Sequence, residues 1–185
     1  MNKRSAVVGF TLVELLVVVT VLVILQSLAV PSFVGTINSM RLTTAANALF
    51  SSLLLARSEA IKRDARVVVC KSGDGVVCAT SGGWEQGWMV FHDPNNNAAR
   101  DVGEVLLLRQ QALPPTVRLT GNGLVESYVS YTSAGSTRYT SGAFQAGTFT
   151  ACTLLQTGGD ARQIVLNMTG RPRLATSKLE QCSGT

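Results

Sequence analysis

Gly9–Val30 reads GFTLVELLVVVTVLVILQSLAV, and this stretch decides the architecture. From Leu15 to Leu25 every residue is apolar except Thr20, and one acid, Glu14, stands just inside the N-terminal end of the run. An apolar helix of about twenty residues matches the hydrocarbon thickness of a bilayer. A carboxylate inside such a segment is costly and needs a partner or a purpose. Lys3 and Arg4 precede the run and favour a cytoplasmic N-terminus. The arrangement differs from an ordinary secretory signal, in which a cleavage site of small residues follows the apolar region.

The hexad Gly9-Phe10-Thr11-Leu12-Val13-Glu14, with the short basic leader, the apolar run and Pro31, resembles the cleavage and methylation signature of type IV pilins and type II secretion pseudopilins. The resemblance implies cutting after Gly9 by a prepilin peptidase and N-methylation of the new first residue, Phe10. It implies a leader at 1–9, a transmembrane and assembly helix at 10–31, an amphipathic continuation at 32–63 and a β-rich head at 64–185. It also implies storage among the inner-membrane lipids of a Gram-negative cell, as a single-pass protein with its head in the periplasm. Assembly with other major and minor pilins into a cell-surface filament would follow. There Glu14 would meet the free amino group of a neighbouring subunit's Phe10, exchanging a costly carboxylate in lipid for a paired one. The alternative for Glu14 is a carboxylate resting unpaired at headgroup level.

Pro31 removes a backbone donor and is expected to kink the helix. Beyond it Leu42, Ala45, Ala46, Leu49, Phe50, Leu53, Leu54 and Ile61 recur at helical spacing. One helix from about Thr11 to about Lys62 would be roughly 75–80 Å long at 1.5 Å per residue. Its apolar second half predicts a sheet to cover it. After Asp64, β-rich runs alternate with turn residues: Arg66–Cys70, Val76–Ala79, Gly87–His92, Val105–Arg109, Thr116–Leu119, Ser127–Thr132, Thr148–Leu155, Arg162–Met168 and Arg171–Ala175. Such close spacing predicts antiparallel pairing. The fold class is therefore α+β: a long N-terminal helix packed on an antiparallel β-sheet domain, the type IV pilin fold of the resembled family. Thr132–Gly147, rich in Ser, Thr and Gly, is expected to be a mobile loop. Leu55–Arg63, Gly87-Trp88-Met89-Val90-Phe91 with its Asp/Asn-rich turn, and Gly170-Arg171-Pro172-Arg173 near a C-terminal cysteine resemble the GspH/FimT branch of minor pilins.

The formal charge is +5, and removal of Lys3 and Arg4 with the leader lowers it by two. That is mildly basic, far from the balance of a histone-like protein. The four cysteines, Cys70, Cys78, Cys152 and Cys182, follow an export segment and predict disulfides in an oxidising compartment. Of three possible pairings, Cys70–Cys78 would close a short hairpin and Cys152–Cys182 would tie the tail to a strand. Reduced, buried cysteines are the alternative. A zinc site is disfavoured because no C-x-x-C pair or histidine cluster is present.

Two stretches carry candidate ligands. Asp93, Asn95, Asn97, Asp101 and Glu104 fall at positions 1, 3, 5, 9 and 12 of a loop with calcium-binding spacing. Ala98 stands where such a loop turns sharply and prefers glycine, the flanks read as strands, and an Asn/Asp-rich hairpin turn explains the same residues without metal. No other cofactor is implied. The second stretch is basic: Arg171 and Arg173, two apart, lie on one face of an extended segment, with Arg162 and Lys178 nearby and Thr169, Thr176 and Ser177 as neutral donors. Guanidinium forks match phosphate oxygens, so the patch suits the backbone of double-stranded DNA. The GspH/FimT resemblance adds that a G-R-x-R motif, here Gly170, Arg171 and Arg173, is associated in FimT-like minor pilins with DNA capture during natural transformation. Two arginines on a short strand also serve simply to discourage edge-to-edge pairing.

Trp84 and Trp88 read as core residues, and His92 as a loop residue. No nucleophile elbow, Walker loop, HExxH or dinucleotide fingerprint occurs, and the chain reads as non-enzymatic. The expectation is a minor pilin with a DNA-binding surface. The alternatives are a structural tip or priming subunit, and a pseudopilin of a type II secretion system.

Overall fold

The computed structural model describes residues 10–155 and 158–182, and within them the side chains of all but 28–32 and 34. The chain divides into two compact units, Met1–Asn38 and Ser39–Thr185. Helix α1, Leu12–Arg63, contributes to both. Its assignment passes through Pro31 without interruption.

In the first unit the helix starts on a reciprocal cap. Thr11 Oγ1 accepts the Glu14 N–H at 3.2 Å, and Glu14 Oε2 accepts the Thr11 N–H at 3.5 Å. This is the T-x-x-E capping box, which satisfies two of the donors that a helix start leaves open. The hydroxyls inside the run fold back onto the helix: Thr20 Oγ1 donates to Val17 O at 2.8 Å and Ser27 Oγ to Ile24 O at 2.7 Å. From Leu12 to Leu25 the apolar side chains are exposed all round. Among the described residues no helix is long and apolar enough to cross a membrane.

In the second unit, α1 buries Leu42, Ala45, Ala46, Leu49, Leu53, Ala56 and Ala60 on one face. The alternating three- and four-residue steps keep these positions on one side of a 3.6-residue helix. The helix stops at Asp64, which adopts φ 49°. Asp64 N donates to Ile61 O and Ala65 N to Ala60 O, the paired bonds of a Schellman end. Lys62 and Arg63 occupy the last turn, where cations oppose the helix dipole, and Arg63 Nε meets Glu59 Oε2 at 2.7 Å.

Two four-stranded antiparallel sheets follow. The first has the order β3-β2-β1-β5 and the second β4-β6-β7-β8. Their strands are β1 Val67–Lys71, β2 Trp88–His92, β3 Leu106–Gln110, β4 Val117–Gly121, β5 Tyr128–Tyr131, β6 Gly147–Thr153, β7 Gly159–Leu166 and β8 Pro172–Leu179. One core joins the helix face to both sheets through Val67, Val69, Trp88, Leu119, Phe149, Ile164 and Leu166. Trp84 packs edge-on against Phe149, and Trp88 Nε1 donates to the buried Ser52 Oγ at 2.9 Å.

β1 is buried on both faces, which explains its unbroken apolar run. Val68, Cys70, Met89 and Phe91 form a second, smaller core on its outer side, with Cys78, Ala98 and Tyr128 packed over it. Two loops make the cover. In the first, Val76–Ala79, expected as a strand, is irregular. Asp74 Oδ1 takes the Val76 and Val77 N–H groups at 2.8 and 3.1 Å, an Asx turn that withdraws those donors from any ladder. A disulfide between Cys70 and Cys78 clamps this loop, and a second joins Cys152 on β6 to Cys182 just beyond β8.

The second covering loop is Asp93–Glu104, whose spacing suggested calcium. Several of its side-chain oxygens serve the loop itself. Asp93 accepts the Asn97 and Ala98 N–H groups, Asp101 Oδ2 accepts both amide nitrogens of Asn95 and Asn97, and Glu104 Oε2 accepts the Asp101 N–H. Among the described residues no three His, Cys, Asp or Glu side chains gather to hold a metal ion. The loop is a hydrogen-bonded lid: Asn96 and Ala98 take φ near 58° and 57° to turn Ala98 onto the small core.

Thr132–Gly147 also departs from expectation. Thr137 and Gln145 are fully buried. Gln145 holds the Ser130 N–H at 3.0 Å and donates to Leu124 O and Tyr128 O, while Thr137 Oγ1 donates to Gln145 O at 2.6 Å. Polar composition here builds a hydrogen-bonded lobe in place of the loose loop.

Candidate nucleic-acid interface

The motif Gly170-Arg171-Pro172-Arg173 closes the β7–β8 hairpin. Leu166 pairs with Pro172, and the turn lies between them. Asn167 organises it: its backbone oxygen accepts Gly170 N at 2.9 Å, and its Oδ1 accepts the Thr169 hydroxyl at 2.7 Å and Arg171 N at 3.1 Å. Asn167 was not singled out from sequence. Its signal was an Asn between a strand and a Gly, the usual place for such a turn.

Gly170 is buried with φ 76°. A side chain there would run into the backbone oxygen of Gly135, with the Tyr131 ring alongside. Arg57 Nε on α1 donates to the same Gly135 oxygen at 3.0 Å. Thr137 N meets Met168 O at 3.4 Å. The hairpin tip is thus seated against helix and lobe, and glycine is what allows the approach.

Arg171 and Arg173 emerge from this seat exposed. Among the described residues neither guanidinium makes a hydrogen bond or a salt bridge. β8 is an edge strand. Pro172 fits its first position because a proline has no N–H to give, and the Cys152–Cys182 disulfide holds the other end.

The remaining two basic residues do not join the pair. Strand alternation puts Arg173 on one face of β8 and Lys178 on the other. Lys178 lies about 16 Å along the strand from Arg173, in register with Asp160 on β7. Arg162, expected in the patch, turns to α1 instead, with Nη2 on Ser39 Oγ at 3.1 Å and Nε on Thr43 Oγ1 at 3.3 Å. Its place on β7 opposite Thr176 puts it on the helix-facing side with Ile164 and Leu166. The tyrosines are structural: Tyr131 is fully buried, with its phenol pushed well up by burial, and Tyr139 OH donates to Leu124 O at 2.6 Å. His92 ends β2, with an Nε2 that has no hydrogen-bond partner.

At the other end of the chain, Gly9 lies outside the described residues. Phe10 is exposed, and Glu14 serves in the capping box. Its T-x-x-E spacing was readable in the sequence and gives Glu14 a local role besides any in assembly.

The family model for type II transport protein GspH matches residues 45–170. The chain belongs to the GspH family. Its fold is similar to that of the type IV minor pilin FimU of Pseudomonas aeruginosa, at 19% sequence identity and a TM-score of 0.56, over 77% of this chain and 95% of that one. It is also similar to the minor pseudopilin EpsH from the type 2 secretion system of Vibrio cholerae, at 15% identity and a TM-score of 0.51, over 73% of this chain and 96% of that one. No curated protein matches the sequence. As a GspH-family chain this is a minor pilin or pseudopilin, a subunit of a type IV pilus or of a type II secretion apparatus. The family match ends at Gly170, so Arg171 and Arg173 stand just beyond it.

Proposed function

We propose that this GspH-family chain is a minor pilin of a type IV pilus that binds double-stranded DNA at the tip of its β7–β8 hairpin, as in natural transformation. A prepilin peptidase cuts after Gly9, and the Phe10–Pro31 helix holds the subunit among inner-membrane lipids with its head in the periplasm. On assembly with other pilins the apolar run exchanges lipid for protein, and Glu14 meets the amino terminus of a neighbouring subunit. The all-round apolar surface of Leu12–Leu25 supports that part, because such a helix is at home only in lipid or inside an assembly.

The observation that carries the DNA reading is the pair of exposed, uncompensated guanidinium groups on a rigid turn. Phosphate contact needs positive charge that is not already paired, held at low entropic cost. Arg171 and Arg173 carry unpaired charge on a backbone fixed by the hairpin turn, whereas Arg162 is committed to hydroxyls of α1. The contacts are to backbone phosphates and carry no base preference. A gel shift of the full chain in nonionic detergent with duplex DNA tests this. A salt-sensitive shift that disappears in the Arg171→Gln/Arg173→Gln variant is expected; absence of a shift, or equal binding by the variant, removes the DNA reading. The second reading is a pseudopilin serving type II secretion, favoured by the description of the family model. It predicts no DNA binding.

A further inference from the structure

The second sheet has an outer face, turned away from α1, and strand register fixes which residues occupy it. Ile164 and Leu166 on β7, with Phe149 and Ala151 on β6, enter the core. Their neighbours Gln163, Val165, Thr148 and Thr150 therefore point outward. Arg173 stands opposite Val165, and Val165 opposite Thr148. One step along, Ala175 stands opposite Gln163, and Gln163 opposite Thr150. The exposed arginine next to the hairpin tip thus shares this face and is the diagonal neighbour of Gln163. Diagonal neighbours across an antiparallel pair lie about 7–8 Å apart, close to the spacing of successive phosphates along a nucleic-acid strand.

One end of the face is closed. Cys152, outward-facing and opposite Arg118, is bonded to Cys182 beyond β8. The tail therefore passes over β7, where the outward Ala161 is fully buried. The end beside the hairpin tip has no such cover: Thr148, Thr150, Gln163, Val165 and Ala175 are half-buried and Arg173 is exposed. Among the described residues the Thr148 and Thr150 hydroxyls and the Gln163 amide make no hydrogen bond. None of these six residues is acidic. Glu85 and Glu126 stand at the β4 margin, beside Arg118 and Thr120. The open end thus joins one unpaired guanidinium to three unpaired neutral donors on a flat surface, which suits a row of phosphate oxygens.

Resting on the DNA reading above, we propose that this open end of the sheet is the path of bound duplex. The sugar–phosphate backbone leaves Arg173 and runs across β7 and β6, where the Gln163 amide and the Thr148 and Thr150 hydroxyls donate to phosphate oxygens. Such contacts position a duplex without adding charge, so a charge placed on the path reads its course. The test is anisotropy of a dye-labelled blunt duplex with the full chain in nonionic detergent, titrated at several salt concentrations. Gln163→Lys and Thr150→Lys are each expected to bind more tightly and to steepen the slope of log K against log salt by about 0.9. Gln163→Glu is expected to weaken binding at least about tenfold. Ser51→Lys and Ser51→Glu, on the exposed side of α1, carry the same changes of charge and are expected to leave the slope unchanged. If the Gln163 and Thr150 variants behave as the Ser51 variants do while Arg171→Gln/Arg173→Gln binds more weakly, the path is overturned and the DNA reading stands. A wild type that binds no duplex removes the DNA reading and the path with it. Equal melting midpoints keep misfolding out of the comparison, and two positions on different strands keep the result from resting on either one.

Discussion

Gly170 shows how much one residue decides here. Its φ of 76° and its approach to the Gly135 oxygen leave no room for a Cβ. Gly170→Ala is expected to cost about 2 kcal/mol or more, a fall in melting temperature of about 4–8 °C, measurable by circular dichroism. Its place in a G-R-x-R motif was legible in the sequence; the reason for it was not, because Gly135 lies far away along the chain. Asp74 makes a second residue-scale case. Hydrogen bonds from the Val76 and Val77 N–H groups hold its carboxyl below the usual value of 3.8. A carboxyl with a lowered folded pKa stabilises above its unfolded pKa, and that contribution is lost as pH falls through the folded value. The protection of the Val76 and Val77 amides, taken relative to their intrinsic exchange rates at each pH, should therefore hold at pH 5 and fall only below 3.8. Loss of protection well above that pH would show that the Asx turn does not hold the loop.

At the scale of elements, the strand runs were readable because alternation and turn residues agreed: eight of the expected positions carry a strand. Val76–Ala79 failed because a side chain took the donors a ladder needs. The calcium-like spacing of Asp93–Glu104 coincides with a set of hydrogen bonds inside the loop. Loop residues rich in oxygen serve their own backbone as readily as a metal, and periodicity does not distinguish the two. The disulfides act on different elements. Cys70–Cys78 closes a separation of 8 residues and Cys152–Cys182 one of 30. Loop-closure entropy assigns them about 2.5 and 3.6 kcal/mol. Urea denaturation of the two paired Cys→Ala variants should therefore find the Cys152/Cys182 variant weaker by about 1 kcal/mol. The reverse order would place the stabilisation in the small-core lid rather than in the tethered edge strand.

Over the whole molecule, the helix period and the sheet-rich head were legible from the order of apolar and turn residues. The division into two sheets was not, since sequence gives strands without their partners. The basic patch was only half legible for the same reason. Arg162 and Arg173 look equivalent along the chain, yet register turns one to the helix and the other to solvent. On the proposed reading, the free charge at the hairpin tip is what would separate this chain from a subunit with the same fold and no DNA-binding role. The measurement that addresses it most directly is the salt dependence of duplex binding, by anisotropy, for wild type and Arg171→Gln/Arg173→Gln. Each phosphate contact contributes about 0.9 to the slope of log K against log salt. The account predicts a slope shallower by about 1.8 in the variant, with weaker binding at low salt. Equal slopes, or a wild type that binds no duplex, would contradict it.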